Sequence, residues 1–360
     1  MRRALRIVGG FVLALSVVGA FLWVVGPRRV LAELSTAHLP VFAAGFLAVL
    51  GAFWCWSEAL RRLLRTVGQD VGGLRYRAAF MSGELAKQVV PMGHSGGPVF
   101  VSYAVSRETD APYESTLAAA TVVEFVNVAS SLLLATGGLA VVLLGSDGPL
   151  EPVFLVLLAG LAVASGGLLG AGALVYYRRS LVERLVLWVA ATGRATLGRL
   201  SGRVREALAA ERIQGTFETY YAAFDRALVD RTEVRRAAVF SLLGWALFLL
   251  PLYTSLVAIG DPVPYALVVF VVPVLSLVNV VPLPGGLGGF EVALAAVLVA
   301  LVGIELPAAT AGVFLYRLSN YWFVVLVGVV ASAVVSVRPS TAPPILGPGE
   351  ETPVSGPDEE

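Results

Sequence analysis

Apolar residues fill most of this chain in runs close to or beyond twenty positions, parted by short polar stretches in which arginine predominates. The runs lie at about 5–26, 39–60, 115–145, 152–177, 237–260, 263–281, 291–304 and 308–336. A helix needs about twenty apolar residues to cross a hydrocarbon core, whereas barrel strands alternate over about ten. The pattern therefore predicts an all-α polytopic membrane protein with six to eight transmembrane helices.

Two stretches break the pattern. The first is Gly83-Glu84-Leu85-Ala86-Lys87-Gln88-Val89-Val90-Pro91, followed by Met92-Gly93-His94-Ser95-Gly96-Gly97. The second is Val280-Val281-Pro282-Leu283-Pro284-Gly285-Gly286-Leu287-Gly288-Gly289-Phe290-Glu291. Proline and clustered glycine interrupt a helix, and irregular backbone at membrane depth survives only where protein or a watery cavity satisfies it. Both breaks follow a Val-Val pair, so they form a weak internal symmetry of the kind that marks a transporter's central site. Each predicts a broken helix, and the stretch 78–112 must return to its own side as a re-entrant hairpin. The segments 263–281 and 286–304 either span or re-enter.

Residues 178–236 form a different region, with 12 Arg against 7 Asp and Glu. Leu181, Leu185, Trp188 and Val189, and later Phe217, Tyr220, Tyr221 and Phe224, recur at helical spacing. They predict a cytoplasmic amphipathic helical segment lying on the membrane surface. One transmembrane domain should cover 1–338, and the Pro-, Gly- and Glu-rich stretch 339–360 should be a disordered tail.

Composition supports this reading. The chain is 57% hydrophobic and 14% charged, against about 25% charged residues in a soluble domain. A single cysteine, Cys55, excludes an internal disulfide and any multi-cysteine metal site. No metal-ligand spacing and no phosphate loop of the ATPase type occur, so neither a metal nor any other cofactor is expected. Basic residues concentrate at the N-terminus, at 61–77 and at 178–236, which places these segments and both termini in the cytoplasm of a cell-membrane protein. Basic residues spread along a membrane face suit anionic lipid, not nucleic acid.

The charged residues inside apolar sequence are the candidate chemistry. Glu84 and Lys87 stand three apart and share a helix face. Glu124 and Asn127 repeat that spacing deep in an apolar helix. Arg317 and Asn320 form a third pair, and Arg317 is the only basic residue between Arg236 and Arg338. An intramembrane charge is costly, so it should face protein or water and find a partner. Arg317 is expected to pair with Glu291 or to bind phosphate, which a planar guanidinium suits. Gly285, Gly286, Gly288 and Gly289 would present backbone N–H groups beside Glu291. Glu291 could equally cap the helix it opens.

These motifs resemble the lysylphosphatidylglycerol synthase transmembrane-region family, also described as flippase-like. The resemblance rests on Gly83 through Pro91 with Gly96-Gly97, on Glu124, on Pro282 through Glu291, and on Leu315-Tyr316-Arg317. Phe125 stands where the family usually carries Arg. The resemblance implies a helical bundle with re-entrant segments that handles a lipid. In bacterial members this is an aminoacylated phospholipid, and archaeal relatives are linked to polyprenyl-phosphate sugars. The expected function is a lipid translocase without its own ATPase, with Glu84, Lys87, Glu124, Glu291 and Arg317 lining one polar groove. The alternative is an integral-membrane enzyme or accessory factor in glycolipid assembly, with Glu124 or Glu291 as acid or base. A membrane lipid is the expected substrate. Self-association, and a soluble partner such as a glycosyltransferase at 178–236, are further expectations.

Overall fold

The computed structural model describes residues 16–90, 96–145, 152–196, 210–276 and 286–336. In chain order the helices are α1 (Ser16–Val25), α2 (Pro27–Ser35), α3 (Leu39–Thr66), α4 (Gly73–Val89), α5 (Gly97–Thr109), α6 (Tyr113–Leu144) and α7 (Pro152–Tyr177). They continue with α8 (Arg179–Thr196), α9 (Ala210–Val229), α10 (Arg231–Ala258), α11 (Tyr265–Leu275), α12 (Gly289–Val302) and α13 (Leu306–Arg317). A π-helical turn, Leu318–Trp322, joins α13 to α14 (Phe323–Ser336). No strand occurs among the described residues. Helices α3, α6, α7, α10 and the continuous stretch Leu306–Val335 are long and apolar enough to cross a membrane. Of the first apolar run, only the part from Ser16 is described. The tail 339–360 and the interiors of both predicted breaks, 91–95 and 277–285, lie outside the described residues.

An antiparallel pair, α3 and α10, forms the spine. At one end Arg62 reaches Glu233 (3.7 Å); midway Trp56 meets Trp245 (5.5 Å between rings); at the other end the His38 N–H donates to the Ala258 carbonyl (2.8 Å). Glycine permits this closeness. A Cβ on Gly244 would lie 2.6 Å from Trp56 Nε1, and one on Gly45 would lie 2.9 Å from Thr254 Oγ1.

Two apolar cores divide the bundle, and α6 runs through both. The first half of α6, at Ala118–Val123, packs with residues of α3, α4, α5, α9 and α14. Its second half, at Ala135 and Leu139, packs with α7, α10, α11, α12 and α13. These two stretches of α6 are about 25 Å apart along its axis at 1.5 Å per residue. Helices α4 and α5 therefore sit toward one end of the bundle, and α11 and α12 toward the other. Helices α4, α5, α11 and α12 have 17, 13, 11 and 14 residues. At 1.5 Å per residue each is shorter than a hydrocarbon core of about 30 Å.

Helices α4 and α5 pack face to face because Gly83 leaves no side chain between them. A Cβ there would lie 2.5 Å from Val101 Cα and 2.9 Å from its backbone nitrogen. Backbone cannot swing aside as a flexible side chain can. Gly83→Ala should cost about 1–3 kcal/mol, as overpacking does. Unfolding in detergent checks this, and an unchanged melting temperature would mean that the hairpin is not tightly closed.

One boundary differs from expectation. The surface region 178–236 ends at Val229, and 231–236 are the opening turns of α10. Asp230 is the cause: its side chain accepts from the Thr232 N–H (2.9 Å) and the Glu233 N–H (3.2 Å), a strong helix start that precedes the apolar run. Of the run 263–281, the described part forms α11, and 277–281 lie outside the described residues.

Within the surface region, α9 buries Tyr221, Ala223, Phe224 and Ala227 in the protein instead of laying that face on a bilayer. Helix α8 does keep an exposed apolar stripe at Leu181, Leu185 and Trp188. Arg179 clamps α8 to α9 through a bidentate pair with Asp225 (2.9 and 2.6 Å), and this hydrogen bonding holds the Asp225 carboxyl below the usual carboxylate range.

Candidate functional site

The described candidates gather in two places. The first is the end of α4. Lys87 Nζ lies 3.2 Å from Glu84 Oε1 on its own helix and 3.8 Å from Glu124 Oε2 on α6. One ammonium thus stands between two carboxylates. Its stem crosses the first residue of α5, where a Cβ on Gly97 would lie 2.8 Å from Lys87 Cε. The glycine makes room for the lysine, which ties the Gly-Gly pair of the first break to the charge it accompanies. Glu84 is buried, Glu124 is partly open, and Asn127 sits one turn further along α6. The Asn127 Oδ1 is buried with no hydrogen-bond partner among the described residues, a cost that a ligand's donor would remove.

The second place is the start of α12. Glu291 occupies the third position of that helix and reaches back to accept from the Gly288 N–H (2.6 Å). Its other oxygen, Oε1, accepts from Arg317 Nε (2.5 Å). The two sequence readings of Glu291, helix cap and partner of Arg317, are both realised, one by each oxygen. Side-chain exposure is 2% for Glu291 and 8% for Arg317, so this charge-assisted pair lies inside the protein. Gly286 and Gly288 have φ of 65° and 90°, a region that favours glycine, and so provide the turn that aims α12 at Arg317. Gly289 opens the helix, and Gly285 lies outside the described residues.

The guanidinium is framed by rings, with Phe290 at 5.2 Å and Tyr321 at 4.9 Å from its central carbon. Arg317 ends α13, and the π turn that follows carries Asn320 and Tyr321 into the interior beside it. Such turns inside a long helix are frequent at functional positions. The Tyr321 hydroxyl is buried without a hydrogen-bond partner among the described residues. A cavity of about 290 Å³ opens beside the pair, lined by Glu291, Arg317 and apolar side chains that include Val18, Leu34, Phe314 and Trp322. It is an apolar chamber with one ion pair in its wall. Glu84, Lys87 and Glu124 do not line it, so the five charges proposed for one groove stand as two groups.

Sequence reasoning missed Tyr321 and Phe290. The aromatic residues flanking Arg317 were visible, but local spacing does not say which of them covers it. It also missed Glu58, which is buried among Arg61, Arg62 and Arg77; its signal was a lone acid three and four residues before paired arginines. No group of three or more His, Cys, Asp or Glu suited to hold a metal ion occurs among the described residues.

Residues 7–328 match the family described as the lysylphosphatidylglycerol synthase TM region. The chain belongs to this family. A curated relative, glycosyltransferase AglD of Haloferax volcanii, is 26% identical over 327 residues, which is 87% of this chain and 52% of that protein. The chain thus spans about half the length of the relative it matches. No solved structure matches the chain. As a member of this family the chain is a multi-pass, all-α membrane protein, and its glycine-rich break and Arg317 both fall within the matched stretch.

Proposed function

We propose that the protein is a lipid translocase without its own ATPase, acting on an anionic phospholipid or a polyprenyl-phosphate-linked glycolipid. The observation that supports this reading is that α4 and α5 pack toward one end of the bundle and α11 and α12 toward the other, with the part-buried Lys87 held by Glu84 in the first pair and the buried Arg317 held by Glu291 beside the second. Discontinuous helices paired in this way are how membrane transporters bring charge and backbone dipoles to a head group at mid-depth. The hairpin α4–α5 enters from the arginine-rich, cytoplasmic end, and α11–α12 re-enters from the other. Lys87 and Arg317 take the phosphate in turn, and the carboxylates hold the two cations in readiness or carry a coupling proton. The lipid tails stay in the bilayer, and the apolar walls beside Arg317 tolerate them.

Reconstituted into liposomes, the protein should accelerate exchange between leaflets of a labelled phosphate-bearing lipid above protein-free vesicles. No acceleration for phosphatidylglycerol or for a polyprenyl-phosphate sugar would overturn the reading. The similarity to a protein named as a glycosyltransferase favours a second one, an integral-membrane factor in glycolipid assembly. Formation of a glycolipid product by the purified protein, without exchange between leaflets, would select it.

A further inference from the structure

We propose a second lipid site at the arginine-rich end of α3, α4 and α10, where an anionic phospholipid head group binds as a resident ligand that is not transported. The site is built around Glu58, which is 3% exposed. Its carboxylate accepts from Arg62 Nε (3.0 Å) and from an Arg61 terminal nitrogen (3.4 Å) on its own helix, and from an Arg77 terminal nitrogen (3.4 Å) on α4. Arg77 also donates to Ser57 Oγ (2.7 Å). Arg62 extends the network to Glu233 on α10 (3.7 Å), which Arg236 also holds (2.5 Å). Arg65 pairs with Asp70 (3.1 Å). Five guanidiniums are thus set against three carboxylates, and the surplus charge is positive.

Two of these cations rest on rings at the rim of the bundle. Arg77 stacks over Trp54 at 5.0 Å and Arg62 over Phe240 at 5.8 Å, and the two rings meet edge to face at 5.9 Å. Trp54 is 48% exposed. It ends an outward stripe on α3 formed by Leu47 and Leu50, and α10 presents Val239 and Leu243 beside it. Both helices are apolar and long enough to cross a membrane, so this face meets acyl chains. The order along the groove is an aliphatic wall, then interfacial aromatics, then a cationic surplus. A phospholipid presents the same order as acyl chain, ester region and phosphate. Basic pockets between helices on this side of a membrane bind anionic head groups. A zwitterionic head group adds a cation of its own to the existing surplus, so an anionic one is preferred. The cavity at Arg317 involves none of these residues, and the proposal does not depend on the transport reading.

The test compares thermal unfolding of the purified full chain in neutral detergent with phosphatidylglycerol and with phosphatidylcholine of the same chains. Phosphatidylglycerol should raise the melting temperature by several degrees at concentrations where phosphatidylcholine does not. Arg77→Gln should weaken its half-maximal concentration about fivefold, the usual effect of one interfacial arginine. Arg77 also supports buried Glu58, so where that variant does not fold, Trp54→Ala with Arg236→Gln decides. The lipid-specific increment should fall in that protein. Equal increments from both lipids, or a full increment in the Trp54→Ala/Arg236→Gln protein, overturn the site. So does a full increment from inorganic phosphate alone, because the groove would then contribute nothing.

Discussion

Arg317→Gln is expected to abolish lipid exchange between leaflets and to destabilise the protein as well. The two effects have different origins and can be separated. Without the guanidinium, Glu291 keeps the Gly288 N–H and stays inside the protein at 2% side-chain exposure. Removing one member of a buried pair typically costs about 3–5 kcal/mol, because the other charge is left uncompensated. Replacing both members, Glu291→Gln with Arg317→Gln, removes that uncompensated charge and should recover most of the melting temperature. It should not recover transport. A phosphate held by a guanidinium gains charge-assisted bonds worth about 1.5–3 kcal/mol each, so their loss slows exchange by about 100-fold. Arg317→Lys keeps the charge but not the planar fork and should fall between. If the double variant exchanges labelled lipid at the wild-type rate, the guanidinium only stabilises the fold and the binding role is wrong.

Much of this architecture was legible in the chain, for identifiable reasons. Pro152–Tyr177 stands where its apolar run predicts, because nothing but hydropathy decides the ends of so uniform a helix. Glu84 with Lys87 could be read from helical spacing, and Arg317 with Glu291 from scarcity, since isolated charges in apolar sequence must find each other. The meeting of Lys87 with Glu124 was not legible, because it depends on how α4 lies against α6 and not on either helix alone. The burial of α9 was hidden for a related reason: an apolar stripe looks the same whether it meets lipid or protein. The start of α10 was readable in principle, since Asp230 stands three residues before Glu233, but the high arginine content around it drew the boundary too late. Five charges that all need partners do not thereby share one chamber, and the cavity beside Arg317 is lined by two of them, Glu291 and Arg317.

The two-group arrangement makes Lys87 the complementary test. Lys87→Met keeps an unbranched stem of similar length over Gly97, so the close approach of α4 to the start of α5 survives. It removes the ammonium between Glu84 and Glu124 and leaves two carboxylates facing the place a phosphate would occupy. Transport of an anionic lipid should fall by about 10–100-fold, the loss of one charge-assisted contact together with added repulsion. Combining Lys87→Met with Glu84→Gln leaves Glu124 as the single charge of that group, which should restore stability more than transport. If the lysine serves only to neutralise two acids, the double variant will instead regain full transport, and Lys87 will have no contact with the head group. The comparison with the Arg317 series is decisive for the alternating scheme. A carrier that passes phosphate from one cation to the other must fail when either is lost. A protein that uses only the chamber beside Arg317 will tolerate Lys87→Met.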